Sequence, residues 1–244
     1  MHPVLWQFGS IRIYSYGFFT ALAMLVTFFI VQKKAEPSGL SRQVVADLFF
    51  LLFISGVVGA RLFYVLQHFS DYLGDLPRVF FIQEGGLVWY GGFFGAAIAG
   101  IFYARAHRWP LLKLSDFFAP ILALGHAIGR IGCFFNGCCF GQRCSLPWAV
   151  TFPGDPYARH PVQLYEAALL FILSFFLFRF AKKKRFDGQV LSFYALGYGT
   201  LRLLVEFLRG DQTRFGLLTL PQWTSALLIA GAAIFYSALQ KRSR

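Results

Sequence analysis

Charge is what this sequence has least of. Only 14% of its 244 residues are charged and only 11 are acids, against about a quarter charged in an ordinary soluble domain. Too few charges are available to build a water-facing shell. No nucleotide-binding glycine loop, metal-ligand helix or serine-nucleophile elbow occurs in the sequence, so no cofactor and no metal are expected. Internal repeats and low-complexity segments are also missing, and no composition shift marks a soluble appendage, so 1–244 reads as a single membrane-embedded domain. What is present in excess is apolar surface: 57% of the residues are hydrophobic, including 31 Phe. One core of this size cannot hide that much, and a lipid bilayer is the simplest partner for it.

A helix needs about 20 apolar residues to cross roughly 30 Å of hydrocarbon. Seven such stretches can be counted, at 14–31, 48–66, 87–104, 116–135, 164–180, 190–207 and 219–238. The first is not a cleaved signal: basic residues follow it rather than lead it, and no A-x-A site closes it. The expected fold is therefore all-α, a polytopic integral membrane protein with seven transmembrane helices. Of the 23 Lys and Arg, 14 lie in one set of alternate connections (Lys33 to Arg42, Arg105 to Lys113, Arg179 to Arg185, Lys241 to Arg244) and only six in the other. Basic residues near span ends are retained in the cytoplasm, which puts the N-terminus outside and the C-terminus in the cytoplasm. The run Lys182, Lys183, Lys184, Arg185 is a topology anchor with some attraction to anionic lipid. The net charge of +12 is dispersed over these loops rather than gathered on one face, so no nucleic acid is expected as a partner.

The longest external connection, about 136–163, is rich in Gly, Pro and aromatics and is expected to form a small structured cap. A second external segment, 67–86, carries Asp71, Asp75 and Glu84. Gly91, Gly95 and Ala99, with Gly92, Ala96 and Gly100 beside them, repeat the small-xxx-small spacing of closely packed membrane helices, as do Ser55 and Gly59, and Gly56 and Ala60.

Ionisable groups inside spans cost at least about 2.5–3.5 kcal/mol at the bilayer centre, so they call for a partner or a ligand. Tyr194, Tyr198, Arg202 and Glu206 follow one another at i, i+4 along one face of the sixth span, with Arg209 three further on. An Arg202–Glu206 ion pair that neutralises itself is the simplest account of that stripe. His126 and Arg130 repeat the spacing in the fourth span, followed by Asn136 in a glycine-rich exit. Two arginines on different helices then outnumber the intramembrane acids nearby, and an anion from outside the chain would complete them. The guanidinium fork suits the phosphate of a phospholipid. A lone His126 in a packed helix reads as structural.

The segment Gly129-Arg130-Ile131-Gly132-Cys133-Phe134-Phe135-Asn136-Gly137-Cys138-Cys139-Phe140-Gly141 resembles the signature of the bacterial prolipoprotein diacylglyceryl transferases, approximately G-R-x-[GA]-N-F-x-N-x-E-x-x-G. It departs at Cys133, where the family usually has Asn, and at Cys138, where it usually has Glu. Tyr14-Ser15-Tyr16-Gly17 and Gly85-Gly86-Leu87-Val88-Trp89-Tyr90-Gly91-Gly92 are similar to two further family blocks, the second often bearing His at the place of Tyr90. His160-Pro161-Val162-Gln163-Leu164-Tyr165-Glu166 and Arg202-Leu203-Leu204-Val205-Glu206-Phe207-Leu208-Arg209 resemble two more, so five blocks lie in order over residues 14–209.

The resemblance implies transfer of the diacylglyceryl group of phosphatidylglycerol to the lipobox cysteine in the signal peptide of a prolipoprotein, with release of glycerol 1-phosphate. It further implies the bacterial cytoplasmic (inner) membrane, with the site toward the outer, periplasmic side. A lipid or anion transporter is the alternative, which internal repeats would favour. Arg130 and Arg202 are expected to hold the phosphate, Glu206 to orient Arg202, and Asn136 and Gly141 to let backbone approach the head group, with His160, Glu166 and Tyr198 contributing to substrate binding. The incoming thiol, of ordinary pKa about 8.5, must lose its proton. Tyr90, Tyr16, Glu166 or no strong base at all remain open for that step. Asp116 is expected to cap the fourth helix at its own start. Cys133, Cys138, Cys139 and Cys144 follow a C-x4-C-C-x4-C pattern that admits small buried residues, one or two disulfides, or a metal or catalytic thiol.

Overall fold

The computed structural model describes residues 2–9, 11–81, 85–209 and 214–243, so Glu84 lies outside the described residues. Seven α-helices occupy the seven apolar stretches among the described residues: α1 (Ser15–Ala35), α2 (Arg42–Gln67), α3 (Trp89–Ala106), α4 (Leu111–Asn136), α5 (Val162–Ala181), α6 (Gln189–Glu206) and α7 (Leu220–Arg242). Three two-stranded antiparallel ribbons accompany them: β1 (Val4–Phe8) with β2 (Ile11–Tyr14), β3 (Val150–Thr151) with β4 (Ala158–Arg159), and β5 (Arg214–Phe215) with β6 (Leu218–Thr219). Five helices, α1, α2, α4, α5 and α7, are long and apolar enough to cross a membrane. The other two, α3 and α6, have 18 residues each and are diluted by glycine and by polar side chains such as Arg105, Arg202 and Glu206. Side chains such as Phe29, Phe80, Phe102, Phe176, Leu227 and Ile234 are exposed on the chain's surface, as expected where lipid rather than water surrounds the fold.

The structure divides into two compact units, residues 1–30 with 112–244, and residues 31–111. In the first, the β1–β2 ribbon leads into α1, whose first residue is tied back by Ser15 N–H to Pro3 O (2.9 Å) and by the Ser15 hydroxyl to His2 O. Helix α1 packs on α4 at Gly132, where a Cβ would come within 2.9 Å of Phe19 Cβ, and Phe19 stacks on Phe135 at 5.1 Å. Pro120 sits inside α4, and Ser174 Oγ from α5 donates to its carbonyl at 2.8 Å, the kind of neighbouring-helix hydroxyl that accommodates proline in membrane helices. Ala127, Val162, Leu170, Leu201 and Val205 form one buried cluster of α4, α5 and α6, and Ala119, Ala123, Leu177 and Val190 a second, further along the same helices. Gly199 lets α6 approach α7, since a Cβ there would lie 2.8 Å from Ile229 Cγ1.

Asp116 corrects an expectation. Helix α4 begins one residue after Pro110, at Leu111, so Asp116 lies inside it and caps nothing of its own. Its buried carboxylate instead accepts from Gly188 N–H and Leu191 N–H, each at 2.9 Å, and from Lys184 Nζ at 3.0 Å. A carboxylate is thereby placed at the N-terminus of α6, where unpaired amides and the helix dipole favour it.

In the second unit α2 and α3 touch through backbone, as the spacing of their small residues led us to expect. A Cβ on Gly59 would lie 2.4 Å from Gly91 O and one on Gly95 2.5 Å from Ser55 O. Arg61, buried in α2, is a residue for which the sequence carries no pattern. Its guanidinium donates to the carbonyls of Arg78 (2.9 Å), Val79 (2.8 Å), Gly85 (2.7 Å) and Gly86 (3.3 Å), with the rings of Tyr64 and Tyr72 beside it. One side chain thus gathers the described part of the connection between α2 and α3 through its backbone acceptors.

Candidate active site

The C-terminal ends of α4 and α6 and the N-terminal ends of α5 and α7 adjoin the connection 137–161 and the described residues 207–209 and 214–219. Arg130 lies about 9 Å of helical rise before the end of α4, Arg202 about 6 Å before the end of α6, and Glu166 about 6 Å into α5. All three therefore occupy the same shallow layer.

Two arginine–glutamate pairs fill that layer. Arg130 Nη2 lies 3.0 Å from Glu166 Oε1, and Arg202 Nη1 lies 2.8 Å from Glu206 Oε2. The carboxylates are buried, at 1% and 0% side-chain exposure, while the guanidiniums keep 15% and 14%. The arginines are thus not short of acids. Glu166, read from sequence as a group near the surface, is turned inward on the second turn of α5 and partners Arg130. The pairs nevertheless lack hydrogen-bond alignment. Arg130 Nε, Arg202 Nη1, Glu166 Oε1 and Glu206 Oε2 are all buried without a hydrogen-bond partner among the described residues. Directed donor capacity is left over on both guanidiniums, each of which carries five N–H groups.

Glu206 is also held from the far side: Thr219 Oγ1 donates to its Oε1 at 3.0 Å while accepting from Gln222 N–H in the capping box that starts α7. His126, which looked structural in the sequence, stands between the two pairs. Its Nε2 is 3.7 Å from Glu166 Oε1, its ring centre is 5.5 Å from that of Tyr198, and both Arg130 and Arg202 act on it electrostatically. The signal that could have found it was its position one turn before Arg130. Tyr198 in turn stacks on Tyr194, with ring centres 6.0 Å apart.

A cap lies over this layer. Gly137, at φ 75°, ends α4 with its N–H on Phe134 O (3.1 Å), the left-handed terminus that glycine adopts without strain. Phe152 is buried and stacks on Phe140 at 4.6 Å. Gly141 N–H donates to His160 O at 2.9 Å, His160 N–H to Gln142 O at 3.0 Å, and Gln142 N–H to Leu208 O at 2.8 Å, knitting the cap to the end of α6. Gly141 has no room for a side chain: a Cβ would lie 2.6 Å from Leu208 O and 2.7 Å from Val162 Cγ1. Its role is close packing inside the cap. His160 Nδ1 faces Tyr165 OH at 3.4 Å, and that hydroxyl accepts from Trp148 Nε1 at 2.7 Å. Gln163, not singled out in the sequence, is buried on the first turn of α5 and donates to Cys138 O at 2.6 Å. Farther out, Asp155 accepts from Tyr157 N–H at 3.0 Å and pairs with Arg159. The Tyr157 amide first, and Arg159 second, hold its carboxyl below the ordinary range.

Asn136 closes α4, and the Cys138 thiol just beyond it donates to Cys133 O at 3.6 Å. Tyr16, half-exposed on the first turn of α1, is within electrostatic reach of Arg130 and Cys133. Tyr90 belongs to the unit formed by residues 31–111, where it is half-exposed on the first turn of α3. No disulfide joins the four cysteines in the structure, so of the alternatives that the C-x4-C-C-x4-C pattern leaves open the cross-link is the one it does not contain.

The profile of the family described as prolipoprotein diacylglyceryl transferase matches residues 3–238. Proteins named phosphatidylglycerol--prolipoprotein diacylglyceryl transferase are similar to the chain along nearly its whole length. The one from Clostridium tetani is 34% identical over 242 residues, covering 96% of this chain and 97% of the relative. The one from Idiomarina loihiensis is 38% identical over 247 residues, covering 97% and 92%. The one from Bordetella bronchiseptica is 35% identical over 254 residues, covering 99% and 97%. The arginine–glutamate layer and the cap over it lie wholly within the matched residues, and the chain belongs to the prolipoprotein diacylglyceryl transferase family.

Proposed function

We propose that the chain transfers the diacylglyceryl group of phosphatidylglycerol to the lipobox cysteine of a prolipoprotein signal peptide at the bacterial cytoplasmic membrane. All seven helices cross the bilayer in this reading, with the N-terminus outside, so that the cap and the arginine layer face the periplasm. The distribution of Lys and Arg among the connections supports that orientation. The observation that carries the reading is the layer itself: two guanidiniums, each steadied by a buried carboxylate and each retaining unspent donors, within two helical turns of a membrane protein's surface.

The cysteine sulfur attacks an sp3 carbon of the lipid glycerol. A C–S bond forms, the C–O bond to phosphate breaks, and the electron pair leaves on the phosphate oxygen. Arg130 and Arg202 bind the phosphate and meet the charge that grows on that oxygen. Glu166 and Glu206 hold them in place. Asn136, His160 and Tyr198 border the head group, and Gly141 keeps the cap tight behind it. The thiol proton passes to a base for which Tyr16 and Tyr90 are the phenols to test, Glu166 being engaged with Arg130.

Transfer of radiolabelled diacylglycerol from phosphatidylglycerol to a lipobox peptide in detergent tests the reading. Arg130→Ala and Arg202→Ala should each reduce turnover by about 100-fold or more; wild-type turnover in both would remove the phosphate clamp. Tyr16→Phe and Tyr90→Phe distinguish proton transfer from positioning, because only loss of a proton acceptor changes the pH profile. A transporter reading has no observation in its favour.

A further inference from the structure

Three of the four cysteines come together. Cys133 lies on the last turn of α4, and Cys138 and Cys139 follow Gly137, so the chain doubles back and brings the three Sγ atoms within 4.8 Å of one another. The arrangement is held from several sides. Cys138 N–H donates to Cys133 O at 3.1 Å, and Gln163 Nε2 from α5 fixes Cys138 O at 2.6 Å. Cys139 is held at φ 63°, the left-handed region that a side chain enters at a steric cost and keeps only where its surroundings enforce it. All three thiols are half-buried. Arg130 and Arg209 lie within electrostatic reach of Cys139.

From this geometry we infer that Cys133, Cys138 and Cys139 form a trithiolate site for a soft, monovalent metal ion, with Cu(I) as the fitting class. Sulfurs in a trigonal set around a metal at about 2.3 Å are spaced about 4 Å apart, so less than 1 Å of closure is required from the observed spacing. Thiolate selects soft ions, Cu(I) and Zn(II) foremost. Structural zinc takes four protein ligands, and the group found among the described residues has three: no His, Asp, Glu or fourth Cys joins it, and Cys144 stands outside. A three-sulfur set satisfies Cu(I) without a fourth ligand. Three thiolates around a unit positive charge leave a double negative charge, within electrostatic reach of Arg130 and Arg209. The bound ion would tie the last turn of α4 to the loop that follows it, bracing the segment that carries Asn136. This site does not depend on the transfer reaction proposed above.

The test uses the full-length protein in detergent under anaerobic, reducing conditions. Cu(I) is delivered from a complex with a chromophoric chelator, and Zn(II) is added in parallel. The expected result is one Cu(I) withdrawn per chain, an ultraviolet sulfur-to-copper charge-transfer band, an X-ray absorption spectrum with three sulfur neighbours, and a thermal midpoint that rises until one equivalent is bound. Cys144→Ser should keep all of these; Cys133→Ser, Cys138→Ser and Cys139→Ser should each lose the band and the rise in midpoint. The proposal is overturned if the wild-type chain takes up no Cu(I) against the chelator, if Cys144→Ser abolishes uptake, or if Zn(II) displaces Cu(I) at equal concentration. Thiol counting that finds only two free cysteines in protein purified without reductant would equally overturn it, by showing a disulfide where the site should be. The measurements on unmodified protein stand even if a serine variant fails to fold.

Discussion

The proposed mechanism gives Arg130 two roles that one experiment can separate. Arg130→Gln removes the guanidinium 3.0 Å from a Glu166 carboxylate of 1% exposure and leaves His126 Nε2 beside it at 3.7 Å. An uncompensated buried charge of this kind costs about 3–5 kcal/mol, equivalent to a fall in thermal midpoint of about 10 °C for a chain of this size. Adding Glu166→Gln removes the stranded charge, and replacing both members of a buried pair by neutral groups is commonly close to neutral in stability. The double variant should therefore regain most of the lost midpoint, about 3 kcal/mol relative to Arg130→Gln alone. Transfer should not return with it. Loss of a donor that meets developing negative charge costs about 100- to 1000-fold in turnover, and the double variant lacks that donor just as the single one does. Thermal unfolding followed by tryptophan fluorescence, alongside transfer of labelled diacylglycerol, reads both quantities on the same preparation. Recovery of transfer in the double variant would refute the reasoning, because Arg130 would then be needed only to neutralise Glu166. An Arg130→Gln protein as stable as wild type would refute the premise that Glu166 is held ionised.

Other consequences are open to measurement. Arg61→Lys should loosen the connection between α2 and α3, because an ammonium cannot meet four carbonyls in the plane of a guanidinium; faster proteolysis between residues 68 and 88 is the readout, and unchanged cleavage would contradict the role. Gly141→Ala puts a Cβ 2.6 Å from Leu208 O and should lower stability by about 1–3 kcal/mol through overpacking, seen as a lower thermal midpoint. Gly9→Ala, where nothing lies within 4 Å of the added carbon, measures the backbone cost of a positive φ without a clash. Asp155 titrates below its ordinary value of 3.8, the Tyr157 amide being the main cause, so its contribution to the cap is complete above about pH 4 and is lost as the pH falls through the lowered value. Amide exchange at Tyr157, corrected for intrinsic rate, should accelerate below about pH 4, and Asp155→Asn should remove that dependence.

Much of the helical scaffold was legible because apolar runs of bilayer length leave few alternatives. Five of the helices are longer than the runs, α2 starting at Arg42 rather than 48 and α4 at Leu111 rather than 116, while α3 and α6 have the expected 18 residues. Arg42, Asp47, Lys113 and Asp116 break a hydrophobic window without breaking a helix. The same effect misplaced the role of Asp116, whose partners come from α6 and not from its own chain segment. Arg202 and Glu206 could be paired from sequence, since one turn of one helix separates them. Arg130 and Glu166 could not, because nothing local says which face of α5 turns toward α4. The small-residue spacing of α2 and α3 translated directly into backbone contact, whereas Arg61 answers to carbonyls that every sequence possesses. The surroundings of His126 were not legible, because its neighbours Tyr198 and Glu166 arrive from two other helices.

The contact between Asp116 and the start of α6 sets a common depth for the two arginines. Asp116 and Arg130 are separated along α4 by the same number of residues as Gly188 and Arg202 along α6, a rise of about 21 Å in each case. Both helices run from the pinned end toward the cap. A carboxylate holding two backbone amides at the far end thus acts as a shared zero mark, from which the backbones of Arg130 and Arg202 each stand an equal length of helix. Shifting either helix by one residue would raise one arginine about 1.5 Å above the other. Asp116→Ala should therefore disturb phosphate recognition from about 20 Å away, by changing where the site's two halves stand rather than what they are made of.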